Sequence, residues 1–141
     1  MRELRVLIVE DEALVAAELE WLVVDCGHQA VGSAAAGDEA QSLSADLRPD
    51  LALVDVNLLD GATGVDAART MIARGVNVIF MTANPKQVPA DFPGALGILA
   101  KPYTPAAVMQ ALAYAVGCLA SEAALVERPA FLRECGDRAS A

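Results

Sequence analysis

Long apolar runs, basic residues and histidine are what this chain has least of. Hydrophobic residues make up 55% of its 141 positions, but charges, glycine and proline cut them into segments far short of the roughly 18 apolar residues that a membrane span needs. Lysine and arginine number 10 against 19 acidic residues, for a formal net charge of −9. The basic face that nucleic-acid binding requires is therefore missing, and a cation or a protein is the favoured partner. The three cysteines, Cys26, Cys118 and Cys135, are odd in number and lack metal-ligand spacing, which predicts reduced thiols and no zinc site. The opening Met1-Arg2-Glu3-Leu4 has no signal-peptide layout, so a cytoplasmic location is expected. The single histidine, His28, follows a helix stop and reads as a solvated turn residue. Trp21 reads as core or boundary packing. At this length, one domain and a short appendage fit.

What is present is an alternation of strand-length apolar runs and amphipathic stretches. Val6-Leu7-Ile8-Val9 precedes a helical stripe of Val15, Leu19, Leu22 and Cys26, stopped by Gly27. A weaker strand from Gln29 to Ala34 leads to Ala40, Leu43 and Leu47, where Asp38 and Gln41 have capping-box spacing. Leu51-Ala52-Leu53-Val54 ends at Asp55, and a further stripe of Val65, Ala68 and Ile72 ends at Gly75. Val76 to Met81 ends at Thr82, and Leu96 to Ala100 ends at Lys101-Pro102. Between these last two runs, Pro85, Pro89 and Pro93 exclude a long regular helix, leaving at most one short turn in a loop-like, mobile crossover. Thr104-Pro105 opens a last helix buried along Val108, Leu112, Ala115 and Leu119. Ser121 to Glu127 reads as its extension, and Pro129 onward as a frayed tail. The pattern predicts an α/β protein with a five-stranded parallel sheet covered on both faces.

In a parallel sheet the carboxyl ends of all strands share one edge, which is where open α/β sheets bind ligands. Glu10, Asp11 and Asp55 would meet there and require a cation. Their hard oxygen donors fit Mg²⁺ better than zinc or copper. Asp11, Asp55 and the Asn57 carbonyl would ligate the ion, and Glu10 would orient a metal-bound water. Asp55 can then attack a phosphoryl group in line and become an acyl phosphate. Lys101, one of only two lysines, and the Thr82 hydroxyl would each donate to a phosphoryl oxygen, and Ala83 leaves room beside Thr82. Taken singly, a strand-end Asp or Thr is most often a turn residue, and a lysine before proline a surface charge. Their joint placement is what carries the reading.

Leu7-Ile8-Val9-Glu10-Asp11-Glu12, Ala36-Gly37-Asp38-Glu39-Ala40, Pro49 to Asp55, Met81-Thr82-Ala83 and Lys101-Pro102-Tyr103 together resemble the receiver domain of bacterial two-component response regulators, over Leu4 to about Leu119. The resemblance implies a flavodoxin-like, doubly wound fold of strand order 2-1-3-4-5. It also implies phosphorylation of Asp55 by a histidine kinase or histidine phosphotransfer protein, with Mg²⁺ as cofactor. Thr82 matches the switch hydroxyl. Receivers commonly carry an aromatic residue three positions before the lysine, where this chain has Ile98. The loop after Thr82 is proline-rich where most receivers have a full helix, and Phe80-Met81-Thr82 in part resembles the stand-alone FAT GUY subgroup. Residues 1–120 would form the receiver and 121–141 an extension. Output would pass through a downstream protein partner or onward phosphotransfer rather than through DNA, and a homodimer is compatible. Two alternatives compete with this reading. One is a phosphorylation-independent adaptor of the same fold. The other is a haloacid-dehalogenase-like phosphatase, against which Asn57 stands where a general acid would be needed.

Overall fold

A computed structural model describes residues 2–89, 92, 94–120, 128–129 and 132–133. The chain runs β1 (Arg5–Val9), α1 (Ala13–Asp25), β2 (Gln29–Ala34), α2 (Gly37–Leu47), β3 (Leu51–Asp55), α3 (Gly64–Ala73) and β4 (Asn77–Thr82). It continues through a 3₁₀ turn (Pro85–Gln87), β5 (Gly97–Ala100), α4 (Pro105–Leu119) and β6 (Leu132–Arg133). One sheet of order β2-β1-β3-β4-β5-β6 results. Its first five strands are parallel in the expected order. The sixth, antiparallel to β5, lies where a frayed tail was expected. The expected helical extension falls on residues 121–127, outside the described residues.

Alternation along each strand divides the apolar residues between two layers. Val6, Ile8, Leu51, Leu53, Ile79, Met81 and Leu99 face the layer of α1 and α4. Leu7, Val9, Ala52, Val54, Val78, Phe80 and Ile98 face the layer of α2 and α3. Every residue of β3 is buried, as a central strand covered on both faces requires.

The helix stripes rotate slightly from expectation. Alpha1 buries Ala16, Leu19, Leu22 and Val23, while Trp21 is 65% exposed together with Leu14 and Val24. The α1 sequence is so uniformly apolar that its periodicity does not single out one face. Alpha2 lacks the expected Asp38–Gln41 box: Asp38 accepts from the adjacent Glu39 N–H. Asp60, from the β3–α3 loop, instead accepts from Gly37 N–H at 3.0 and 3.1 Å, and Glu39 reaches back to Ala35 N–H at 2.8 Å. Thr104 does cap α4, accepting from Ala107 N–H at 3.1 Å.

The β4–β5 crossover contains a single 3₁₀ turn among its described residues, as its prolines require. It is pinned from beneath. Val88 and Phe92 are buried, each worth about 1.5–3 kcal/mol relative to exposure. Phe92 meets Phe80 edge to face at 5.1 Å and lies under the Arg69 guanidinium at 4.8 Å.

His28 is buried, contrary to its reading as a solvated turn residue. Its Nδ1 accepts from Leu4 N–H at 3.0 Å, and burial lowers its pKa, which Glu3 only partly offsets. This bond spans 24 residues and has no local signature in the sequence.

Candidate functional site

Register brings the acidic strand ends together. Val9 lies opposite Val54, so Glu10 follows on one strand as Asp55 follows on the next. Beta1 sits between β2 and β3 with its flanking crossovers on opposite faces, which opens a crevice at their carboxyl ends. Glu10, Asp11 and Asp55 each place a carboxylate oxygen within 4.8 Å of the others. Glu10 and Asp55 are buried, and Asp11 is the solvent-facing member. Gly64 fixes the geometry from below. Its N–H donates to the Val56 carbonyl at 3.0 Å, and a β-carbon there would fall 2.1 Å from the Asp55 carbonyl oxygen.

Lys101 is extended across the cluster, with Nζ 2.7 Å from Asp55 Oδ2 and 3.0 Å from Glu10 Oε1. Burial would lower the pKa of this ammonium, but its hydrogen bonds to Asp55 and Glu10 outweigh burial and hold it above its ordinary value. Burial, then the neighbouring Asp55, pushes Glu10 up to about 7, against the opposing pull of Lys101. Glu10 Oε2 is buried without a hydrogen-bond partner among the described residues, a condition that costs about 1–3 kcal/mol or more for a charged group. One ammonium thus compensates part of a three-carboxylate cluster and leaves one inward oxygen unanswered. Hard anionic donors in this number, with one lacking a partner, fit a small divalent cation.

Thr82 is fully buried at the end of β4, where its Oγ1 accepts from Asn84 N–H at 3.1 Å. That bond uses a lone pair and leaves the hydroxyl proton free to donate. Ala83 beside it is exposed. Ile98 is buried in the opposite layer with Val88 and Phe92, so it packs beneath the crossover rather than beside Lys101. Asn57 N–H donates to Asp55 Oδ1 at 3.2 Å.

Two contacts went unread in the sequence. Asn57 and Gln87 exchange side-chain amide hydrogen bonds of 2.8 and 3.1 Å, joining the loop after the acidic strand to the 3₁₀ turn after Thr82. Tyr103 lies with Glu12, Val15, Glu18, Ala83, Lys101 and Pro102 along a groove of about 400 Å³ beside the cluster. Burial pushes its phenol up to about 12. Neither a loop-to-loop amide pair nor a groove between separate elements leaves a periodic signal.

The fold and site together define a flavodoxin-like α/β receiver, with an acidic crevice at the switch point of the sheet and a lysine across it. The sequence profile of the response regulator receiver domain matches residues 6–113, and the chain belongs to that family. It is 38% identical over 114 residues to the phyllosphere-induced regulator PhyR of Methylorubrum extorquens, covering 79% of this chain and 43% of that protein. It therefore spans less than half the length of that relative. It is 30% identical to the chemotaxis protein CheY of Thermotoga maritima, covering 77% of this chain and 93% of CheY. The receiver domain of Erythrobacter litoralis PhyR superposes with a TM-score of 0.75 at 33% identity, covering 90% of this chain and 95% of that one. No helix among the described residues is long and apolar enough to cross a membrane.

Proposed function

We propose that residues 1–120 form a phosphoryl-accepting receiver in the cytoplasm, with 121–141 as an appended extension, and that Asp55 is the acceptor. An Asp55 carboxylate oxygen attacks the phosphorus of a phosphohistidine on a histidine kinase or phosphotransfer protein. The new P–O bond forms as the P–N bond breaks, and the imidazole leaves. Glu10, Asp11, Asp55 and the Asn57 carbonyl are the groups that would hold Mg²⁺, which when bound supplies positive charge against the phosphoryl oxygens. Lys101, already within hydrogen-bond reach of Asp55, turns its ammonium to a phosphoryl oxygen. Thr82 donates a hydrogen bond from its hydroxyl to another, and exposed Ala83 leaves the approach open. Ile98 transmits from below, through its packing against the pinned crossover.

The observation that carries this reading is the lysine bridge over a cluster in which Glu10 Oε2 has no hydrogen-bond partner among the described residues. A merely structural cluster would be expected to satisfy that oxygen. Against the phosphatase alternative, the side chain two residues after Asp55 is an amide engaged with Gln87, which cannot shuttle a proton. A site of this kind transfers a phosphoryl group to and from itself and signals through protein contact.

Intact-mass spectrometry after incubation with acetyl phosphate and Mg²⁺ tests the proposal. One added phosphoryl group, absent from Asp55→Asn, is expected. Continuous phosphate release would instead favour the phosphatase, and no adduct from wild type would favour the adaptor.

A further inference from the structure

Asp55 and Thr82 end adjacent strands, with Asp55 opposite Met81, and a hydrogen-bonded arch joins them beyond the edge of the sheet. Asp55 Oδ1 accepts from Asn57 N–H at 3.2 Å. The Asn57 side chain exchanges two amide bonds with Gln87, at 2.8 and 3.1 Å. Gln87 N–H donates to the Asn84 carbonyl at 3.0 Å, and Asn84 N–H donates to Thr82 Oγ1 at 3.1 Å. The arch thus starts on the carboxylate proposed to take the phosphoryl group and ends on the hydroxyl proposed to hold one of its oxygens.

Both feet of the arch are fixed without the amide pair. Exposed Asn57 lies between buried Val56 and Leu58. The Val56 carbonyl takes Gly64 N–H at 3.0 Å, and Leu58 and Gly61 exchange backbone bonds of 2.8 and 3.0 Å. On the other side, Val88 is buried next to Gln87, and Asn84 Oδ1 caps the 3₁₀ turn by accepting from Lys86 N–H at 3.3 Å. The amide pair is therefore not what holds either backbone. What it does is occupy both polar ends of the Asn57 side chain, so that this amide points at the crossover and bridges the gap between the ends of β3 and β4.

We infer that Gln87 is a positioning residue for the phosphoryl group. Acting through Asn57, it keeps that gap closed and slows the loss of the phosphoryl group to water, an inference that rests on the proposed role of Asp55. In that loss a water oxygen bonds to phosphorus as the bond from phosphorus to Asp55 breaks. Asp55 leaves as a carboxylate, and the protons of the water pass to phosphate and solvent. Parting the amides opens a way in for water beside Asp55 and frees an amide, two residues from the phosphoryl group, to orient it. Keeping water out is how a closed site protects a reactive intermediate.

The test follows decay of the phosphoryl adduct by intact-mass spectrometry, in the full chain loaded from acetyl phosphate with Mg²⁺ and then freed of the donor. Gln87→Ala should shorten the half-life about three- to tenfold, the range that one net hydrogen bond supports. Asn57→Ala keeps its carbonyl and should act alike. The double variant should go no further than either single one, because the two side chains work as a unit. Exchanging the amides, Asn57→Gln with Gln87→Asn, preserves their combined reach and should restore the wild-type half-life. Melting temperatures should stay close to wild type throughout. An unchanged half-life in Gln87→Ala, effects that multiply in the double variant, an exchange no better than the single variants, or a fall in melting temperature that tracks the half-life would overturn the inference and leave Asp55 as acceptor. A wild type that takes up no phosphoryl group would overturn the reading of Asp55 and this inference with it.

Discussion

The two ends of the sheet are built from similar residue types and finished differently. At the amino end, Asp50 takes Arg2 Nη2 on one carboxylate oxygen and Arg5 N–H on the other, both at 2.9 Å, and its carbonyl accepts from the Asn77 amide at 3.1 Å. Arg5 reaches the Leu47 carbonyl at 2.7 Å, and His28 ties Leu4 to the end of α1. Charges there stitch β1, β3 and β4 together. At the carboxyl end one lysine serves two buried carboxylates, and Glu10 Oε2 is left over among the described residues. The first end uses polar groups as fasteners. The second keeps them under tension, and unsatisfied charge is what a ligand can exploit.

The sharpest way to break this contrast is to remove the lysine. Lys101→Met leaves Glu10 and Asp55 without their ammonium. Breaking a buried pair costs about 3–5 kcal/mol, and partial exposure of Lys101 reduces that to about 2 kcal/mol in metal-free protein. Chemical denaturation should show this loss, with most of it recovered on adding Mg²⁺. Stability unchanged without metal would mean that the carboxyl end is as well satisfied as the amino end.

Titration separates the ends by sign. Glu10 is raised from 4.5 to about 7, so the folded state holds a proton that the unfolded state loses first. In metal-free protein, its contribution is fully present below about pH 4.5 and is lost as pH rises to about 7, by at most about 3 kcal/mol. Urea titrations across that range should show the decline in wild type and not in Glu10→Gln. Stabilisation by Mg²⁺ should grow over the same window, because the ion displaces the proton. A wild-type profile that Glu10→Gln does not flatten would remove the tension from the carboxyl end.

His28 has the opposite sign and the smallest effect. Its depressed pKa means that its contribution is present above the ordinary value near 6.5 and is lost as pH falls below it. Protonation turns Nδ1 into a donor facing the Leu4 N–H. His28→Asn keeps an acceptor there without titrating, so it should hold neutral-pH stability to within about 1 kcal/mol and erase the acid-side loss due to this residue. Loss of stability at neutral pH in that variant would show that His28 packs rather than fastens.

Much of the carboxyl end was legible because each apolar run stops at a polar residue, and parallel strands put all such stops on one edge. Glu10, Asp11, Asp55 and Lys101 needed no more than that to be placed together. The resting partner of Lys101 was not legible, because a strand-end lysine carries no mark of which carboxylate it will reach. Long-range partners were misread at both ends. His28 at the amino end and Asp60 at the carboxyl end act across 24 and 23 residues, so the local rules that made His28 a turn residue and Asp38 a cap had no access to their partners. Beta6 is too short for any period, and Trp21 sits in a helix apolar on nearly every side.

The Asn57–Gln87 amide pair ties the behaviour of two loops to one another. Each bond contributes about 0.5–1.5 kcal/mol net, and Asn57 is exposed, so water can take over either half at little cost. Asn57 also touches Asp55 through its backbone, while Gln87 ends the turn that begins one residue after Asn84, whose N–H donates to Thr82 Oγ1. Any rearrangement of the acidic loop is thereby felt at the turn through a clasp weak enough to be undone within the reach of thermal energy.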